Sequence, residues 1–167
     1  SQDAWEDSAN GACSGCDKLA EVTLGTGVRK LGNAVFSGCS SLTAVHFSEG
    51  LLEIGNNAFT SCPIRELIFP DSLSKMDVSA VNSTSTSAPL KKNLVKVHWP
   101  YGLPTVTQSQ FAGFQALAEV EIPEGVTEID SSAFINCPML EDISLPESLK
   151  SIGYQAFKSC SRLASIR

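Results

Sequence analysis

The sequence of 167 residues has few charged residues, few aromatic residues and no long apolar run. Charged residues make up 18% of the chain and aromatic residues 7%, whereas 43% of the residues are hydrophobic. This hydrophobic content excludes a disordered chain, and the length suffices for one domain with a sizeable core. The longest apolar run is far shorter than the roughly 20 residues of a membrane-spanning helix. We therefore expect no membrane insertion of this segment.

Basic clusters and catalytic motifs are also absent from the sequence. The formal net charge is −6 and no cluster of Lys or Arg occurs, so we expect no binding to nucleic acid. The first ten residues lack the pattern of a signal peptide. The two histidines, His46 and His98, do not accompany a nucleophile motif such as G-x-S-x-G. The sequence thus predicts no enzyme, with no catalytic residue, cofactor or metal site.

Phenylalanine recurs at a nearly fixed interval, after phrases such as VRKLGNAVF and VTEIDSSAF. Two further copies of the phrase carry Cys13 and Val81 in place of the phenylalanine. This Phe column is formed by Cys13, Phe36, Phe59, Val81, Phe111, Phe134 and Phe157. The interval between successive members is constant except on either side of Val81, where it is first one residue shorter and then several residues longer. A nearly fixed period of this length is typical of stacked repeats.

A second phrase follows each member of the Phe column, as in CSSLTAVHF and CPMLEDISL. It ends in alternating apolar and polar residues, which is the period of a strand. Prolines that would end the strand pairing follow at 70, 100, 123 and 146. Each unit is therefore predicted to contain one short strand, a turn and a short irregular or 3-10 return. Stacked units would form a parallel sheet over a shared core.

The phrases LEDISLPESLKSIGYQAFKSC, at residues 140–160, and LAEVEIPEGVTEIDSSAFINC, at residues 117–137, resemble the BspA-like class of leucine-rich repeats. The resemblance implies an α/β-type repeat solenoid over residues 11–167, with a curved parallel β-sheet and about 23 residues per repeat. Members of this class are mainly secreted or surface proteins of mucosal bacteria and some protists, associated with adhesion to host proteins and other cells.

The resemblance therefore implies a non-catalytic, extracellular or cell-surface module of adhesion type. Its expected partner is a host or extracellular-matrix protein. The alternative is a structural spacer in a longer surface protein whose ligand site lies elsewhere.

The spacing Cys13-Ser14-Gly15-Cys16 is that of a redox dithiol or of half a zinc site. Cys16, however, shares a position with Cys39, Cys62, Cys137 and Cys160, three residues after the Phe column, and Phe114 replaces cysteine there in another copy. A position that accepts phenylalanine is a packing position rather than a ligand position. We therefore predict free, buried thiols.

The outward positions of the predicted strands form two columns on the open face of the sheet. The possible partner-binding residues are His46, Ile68, Lys96, His98, Tyr101, Glu119, Glu121 and Asp142. An acidic patch of Glu119, Glu121 and Asp142 would suit a cation or a basic partner, and the alternative is a solvated face without a ligand. His98, Tyr101 and the insertion described next are predicted to form one recognition patch.

The repeat is interrupted by an insertion at residues 82–93, NSTSTSAPLKKN, which we expect to be a flexible surface loop. Residues 1–10 are predicted to be an N-terminal cap or tail, with Trp5 as the packing residue. The chain stops at SIR, in the middle of a strand phrase. This predicts either a fragment of a longer protein or an end that pairs with another chain, and hence possible end-to-end self-association.

Overall fold

The structure is a computed structural model that describes residues 10–85 and 87–167. The cap predicted for residues 1–10, including Trp5, falls almost wholly outside the described residues. Asn10 is the described member of that segment, and its side-chain oxygen accepts a hydrogen bond from the backbone N–H of Asn33 at 2.8 Å.

Each turn of the chain contributes a front strand, and these strands run parallel to one another. Their central residue points into the core and the flanking residues point outward, as the alternating sequence pattern predicts. The front strands are β1 Glu21–Thr23, β3 Ala44–His46, β5 Glu66–Ile68, β7 Lys96–His98, β9 Glu119–Glu121, β11 Asp142–Ser144 and β13 Ser165–Ile166. They form two sheets, β1-β3 and β5-β7-β9-β11-β13.

Six of the return segments contain a second, two-residue strand, which the sequence did not predict. These back strands are β2 Lys30–Leu31, β4 Glu53–Ile54, β6 Lys75–Met76, β8 Thr105–Val106, β10 Glu128–Ile129 and β12 Ser151–Ile152. They pair in parallel as two sheets, β2-β4-β6 and β8-β10-β12. One return also contains a 3-10 helix, Val78–Ala80. The predicted solenoid, with turns about 23 residues apart, is confirmed, and it contains little helix.

The Phe column forms the spine of the core. Phe111 stacks on Phe134 with ring centroids 5.4 Å apart, and Phe134 stacks on Phe157 at the same centroid distance. Phe36 and Phe59 stack in the same way at 6.1 Å. Aromatic stacking of this kind adds stabilisation beyond the burial of apolar area.

Val81 breaks this spine, and aromatic residues that follow the front strands bridge the break. Phe47 contacts Phe59 with centroids 6.0 Å apart and Phe69 at 5.5 Å. Trp99 contacts Phe69 at 6.3 Å and Phe111 at 5.8 Å. The aromatic contacts therefore continue from Phe36 to Phe157 by a detour through the front half of the core. Trp99 is buried in this detour, with an exposed fraction of 1%.

The turns after the front strands are joined by carboxylates. Glu49 accepts hydrogen bonds from the backbone N–H groups of Asp71 and Ser72, both at 3.2 Å. Glu124 accepts from Glu147 at 2.9 Å and from Ser148 at 3.1 Å. The N–H groups of Glu147 and Ser148 lower the pKa of Glu124. In both places the glutamate of one turn thus fixes the position of the next turn of the solenoid.

The insertion at residues 82–93 is only partly the free loop that its composition predicts. Its second half is the short helix α1, Pro89–Asn93, in which Leu90 is buried. The Lys91 side chain is also largely buried, and its Nζ lies 5.9 Å from the centroid of the Phe114 ring. The prediction of a flexible surface loop is therefore wrong for α1, because Leu90 and Lys91 pack on the following turn.

Candidate binding face

The predicted outward residues lie in two columns on the front strands. In one column Glu66 pairs in register with Lys96, which pairs with Glu119, which pairs with Asp142. In the other, the register runs through Ile68, His98, Glu121 and Ser144. The columns inferred from the sequence are confirmed, and the binding role of these residues stays a prediction.

Lys96 on β7 neutralises part of the predicted acidic patch, and His98 on the same strand lies within hydrogen-bond distance of it. Lys96 Nζ lies 2.6 Å from Glu119 Oε1 and 3.1 Å from Glu121 Oε1. His98 Nδ1 lies 2.9 Å from Glu121 Oε2. His98 and Lys96 lower the pKa of Glu121, and the two glutamates raise the pKa of Lys96. These side chains remain partly exposed, so the network orders them while leaving them accessible.

Asp142 and His46 lie outside this network. Asp142 accepts a hydrogen bond from the Ser165 hydroxyl on the next front strand. His46 Nε2 lies 2.8 Å from Glu21 Oε1, on the opposite side of β5 from His98.

Among residues 10–85 and 87–167, no group of three or more His, Cys, Asp or Glu side chains is placed to hold a metal ion. The same described ranges contain no helix with the length and apolarity needed to cross a bilayer.

Tyr101 is 59% exposed and lies beyond the end of β7, not in the strand columns. Its backbone N–H donates to Asp71 Oδ1 at 3.2 Å, and its ring lies against Gly125 in the next turn. The insertion precedes β7 and packs on Ser109 and Phe114. The insertion and Tyr101 therefore lie at opposite ends of β7, and the structure does not bring them together as one patch.

A crevice of about 740 Å³ opens on the front face between β3 and β5. Residues 43–47 line one wall, and Arg65, Glu66 and Ile68 line the other, with Val95 at the margin. Sequence reasoning missed this site, although it placed His46 and Ile68 on the face. One feature of the sequence could have pointed to this crevice. The interval between Phe59 and Val81 is one residue shorter than the usual interval of the Phe column.

The cysteine column is a packing position that also forms hydrogen bonds. The Cys62 thiol donates to the backbone oxygen of Phe36 at 3.0 Å, and the Cys137 thiol donates to that of Phe111 at 3.1 Å. All six cysteines are free, and Cys39, Cys62 and Cys137 are buried. Cys16 is exposed, so the prediction of buried thiols is wrong for this residue, which has no earlier described turn against it.

We expect a thiol-reactive dye to label Cys16 in the native protein and to leave Cys39, Cys62 and Cys137 unlabelled. Burial shields these three thiols, and it raises the pKa of Cys62 to about 12, so that its reactive thiolate is scarce at neutral pH. Mass spectrometry of digested protein would measure labelling at each site. Denaturation without reductant should expose six reactive thiols. A lower number would contradict the free-thiol assignment.

Comparison with known proteins identifies a family and several solved structures that share this architecture. The family model of the BspA type leucine rich repeat region matches residues 6–88 and 90–167, in 6 copies. Comparison with curated protein sequences gives no match. A leucine rich cell surface protein from Faecalibacterium prausnitzii A2-165 has a similar fold, with a TM-score of 0.65 and 26% identity over 89% of this chain and 38% of that chain.

Two further solved structures share the fold. The T. pallidum leucine rich repeat protein has a TM-score of 0.57 and 23% identity, over 78% of this chain and 69% of that one. A leucine-rich repeat protein from Bacteroides ovatus ATCC 8483 has a TM-score of 0.55 and 21% identity, over 92% of this chain and 50% of that one. This chain thus spans about half or less of the F. prausnitzii and B. ovatus proteins. The family match covers nearly the whole sequence and the solenoid agrees with it, so the chain belongs to the BspA-type leucine-rich repeat family.

Proposed function

We propose that this chain is a non-catalytic protein-binding module of adhesion type, secreted or displayed on a cell surface. The observation that carries the proposal is the open front face, where successive strands present exposed side chains in two straight columns. Parallel strands repeat about every 4.8 Å, so these columns offer a partner groups at regular, fixed spacing. The matching family is a repeat scaffold, and the F. prausnitzii relative is described as a cell surface protein.

The chemistry of the face suits a protein partner. Ile68, which is 45% exposed, lies beside the ordered charges of Lys96, His98 and Glu121. A mixture of apolar contact and ordered charge is typical of protein interfaces, in which charge sets specificity and association rate. A partner with basic groups facing Glu119 and Asp142 is favoured, because the chain carries a net charge of −6.

A binding screen against purified extracellular-matrix and plasma proteins tests this proposal. We expect at least one partner to bind the wild-type chain, and the double variant E119Q/E121Q to bind it at least tenfold more weakly. Surface plasmon resonance at two salt concentrations would measure the effect. Because rim charges act mainly on association, the loss should be larger at low salt.

The matched control is the double variant E128Q/E147Q, which removes the same number of charges away from the front strands. Glu128 lies on β10 in the back sheet, and Glu147 lies in the turn after β11. We expect this variant to bind like the wild type. Equal losses in both variants would contradict a site on the front face. Binding to none of the tested proteins would contradict the adhesion proposal and favour the spacer alternative.

A further inference from the structure

The insertion before β7 places a lysine at a core position where most other turns have a cysteine. Lys91 precedes the buried Leu94 by three residues. Cys39 and Leu42 have the same spacing in an earlier turn, and both are completely buried. The Lys91 residue is 6% exposed, so its long side chain lies within the protein rather than on the surface of α1.

Contacts with the next turn hold Lys91 in this position. Its backbone oxygen accepts a hydrogen bond from the N–H of Gln115 at 2.8 Å. Its Nζ lies over the ring of Phe114, 5.9 Å from the ring centroid, and Phe114 is itself completely buried. An aromatic ring attracts a cation, but it does not accept the three hydrogen bonds that an ammonium group donates in water.

The ammonium group of Lys91 has no polar partner among residues 10–85 and 87–167. No oxygen of these residues accepts a hydrogen bond from Nζ, and no carboxylate lies within ion-pair distance. By contrast, Lys75 pairs with Glu53 and Lys96 pairs with Glu119. Lysines are almost never buried without such a partner. Burial accordingly lowers the pKa of Lys91, which increases the fraction of neutral, nucleophilic amine.

The Lys91 nitrogen keeps a narrow opening to solvent. Within the part of the chain that the structure describes, no side-chain nitrogen or oxygen is both sealed from solvent and without a hydrogen-bond partner. Since Lys91 Nζ lacks a partner, it is not sealed. An added Cβ at Gly113 would lie 3.8 Å from Nζ, so this glycine leaves one side of the amine without a covering side chain. The opening suits a small molecule rather than a folded partner.

We propose that Lys91 is a site of covalent modification that captures small aldehydes as an imine. The neutral amine nitrogen attacks the carbonyl carbon, and a proton passes from nitrogen to the carbonyl oxygen. Loss of one water molecule then forms the carbon–nitrogen double bond, and no oxidant or reductant takes part. The product replaces a buried, unpaired ammonium with a neutral group, which removes the cost of keeping that charge away from water. This site is separate from the front-strand columns, and the inference does not depend on the protein-binding function.

The probe is acetaldehyde, added at neutral pH with cyanoborohydride, which reduces the imine to a stable secondary amine. Mass spectrometry of the digested protein measures the rate of N-ethylation at each lysine. Lys92 is the internal control, because it is the next residue of α1 and is exposed. We expect Lys91 to be modified at least tenfold faster than Lys92. Burial alone predicts the reverse, so protection of Lys91 or equal rates at both lysines would overturn the proposal.

Unfolding the protein tests whether the fold produces this reactivity. In concentrated urea, Lys91 and Lys92 should be modified at equal rates, because the apolar surroundings of Lys91 are lost. A preference for Lys91 that survives unfolding would overturn the proposal, since it would come from the local sequence.

Two matched variants check the assignment on the intact protein. Lys91→Arg keeps a positive charge at this position and should remove the rapid addition of the first ethyl group, as measured by intact mass. Lys92→Arg should retain it. Rapid addition that persists in the Lys91→Arg variant would place the reactive amine elsewhere and overturn the proposal. If that variant fails to fold, the rates at each lysine of the wild type and of the Lys92→Arg variant decide the question.

Discussion

Replacing Phe134 with alanine is expected to lower the free energy of unfolding by about 3–5 kcal/mol, the usual cost of truncating a buried phenylalanine. Phe134 is fully buried and stacks on both neighbours of the Phe column, with centroids 5.4 Å from Phe111 and 5.4 Å from Phe157. The substitution removes apolar burial, leaves a cavity between two turns and removes both stacking contacts. Urea unfolding followed by circular dichroism would measure the change.

The control for this experiment is Tyr154→Ala, which removes an aromatic ring that is 76% exposed. We expect a change within about 0.5 kcal/mol, as for most surface substitutions. Phe134→Leu should fall between the two, because it keeps much of the buried volume. A loss below about 1 kcal/mol for the alanine variant, well under the usual cost of such a truncation, would show that the Phe column does not form the stabilising spine.

Replacing Gly102 with alanine is expected to destabilise the chain by about 1–3 kcal/mol, or more, by overpacking. An added Cβ would lie 3.0 Å from Asp71 O and 3.0 Å from the carbonyl carbon of Leu73, and closer still to Leu73 O. All three atoms belong to the backbone of the preceding turn, which cannot rotate away as a side chain does. A shift in the thermal unfolding midpoint would report the effect.

Gly27→Ala is the matched control, because Gly27 occupies the corresponding position of an earlier turn and no atom lies within 4 Å of its added Cβ. This variant should retain the stability of the wild type or gain slightly from a less flexible unfolded chain. If both alanine variants lose stability equally, conformational preference rather than close approach of the turns would explain the glycine at position 102.

The features of the fold that repeat were predictable from the sequence. The columns and their register follow from the spacing of Phe36, Phe59 and Phe134, since stacking aligns residues one period apart. The back strands were not predictable, because two residues such as Glu53 and Ile54 are too few to show an alternating pattern. Docking of α1 was also missed, because the Ser- and Thr-rich residues before it suggest a loop.

The candidate site was predictable in composition but not in geometry. The columns inferred from the sequence place Lys96 beside Glu119 and His98 beside Glu121, yet the hydrogen bonds among these side chains depend on side-chain conformation. The crevice is encoded by a single missing residue beside Pro63. The sequence does not say whether the core or the sheet absorbs this deletion, and the structure shows that Cys62 and Ile64 stay buried while β3 and β5 lie unpaired.

The interruption on the front face has a consequence for cooperativity, because the back face is interrupted one turn later. β3 and β5 are unpaired while β4 and β6 of the same turns are paired, and β6 and β8 are unpaired while β5 and β7 are paired. In a solenoid, the coupling between adjacent turns decides whether unfolding spreads or stops. Since the two breaks are staggered, each of these junctions keeps one ladder, so the described turns are expected to unfold together rather than as two independent blocks.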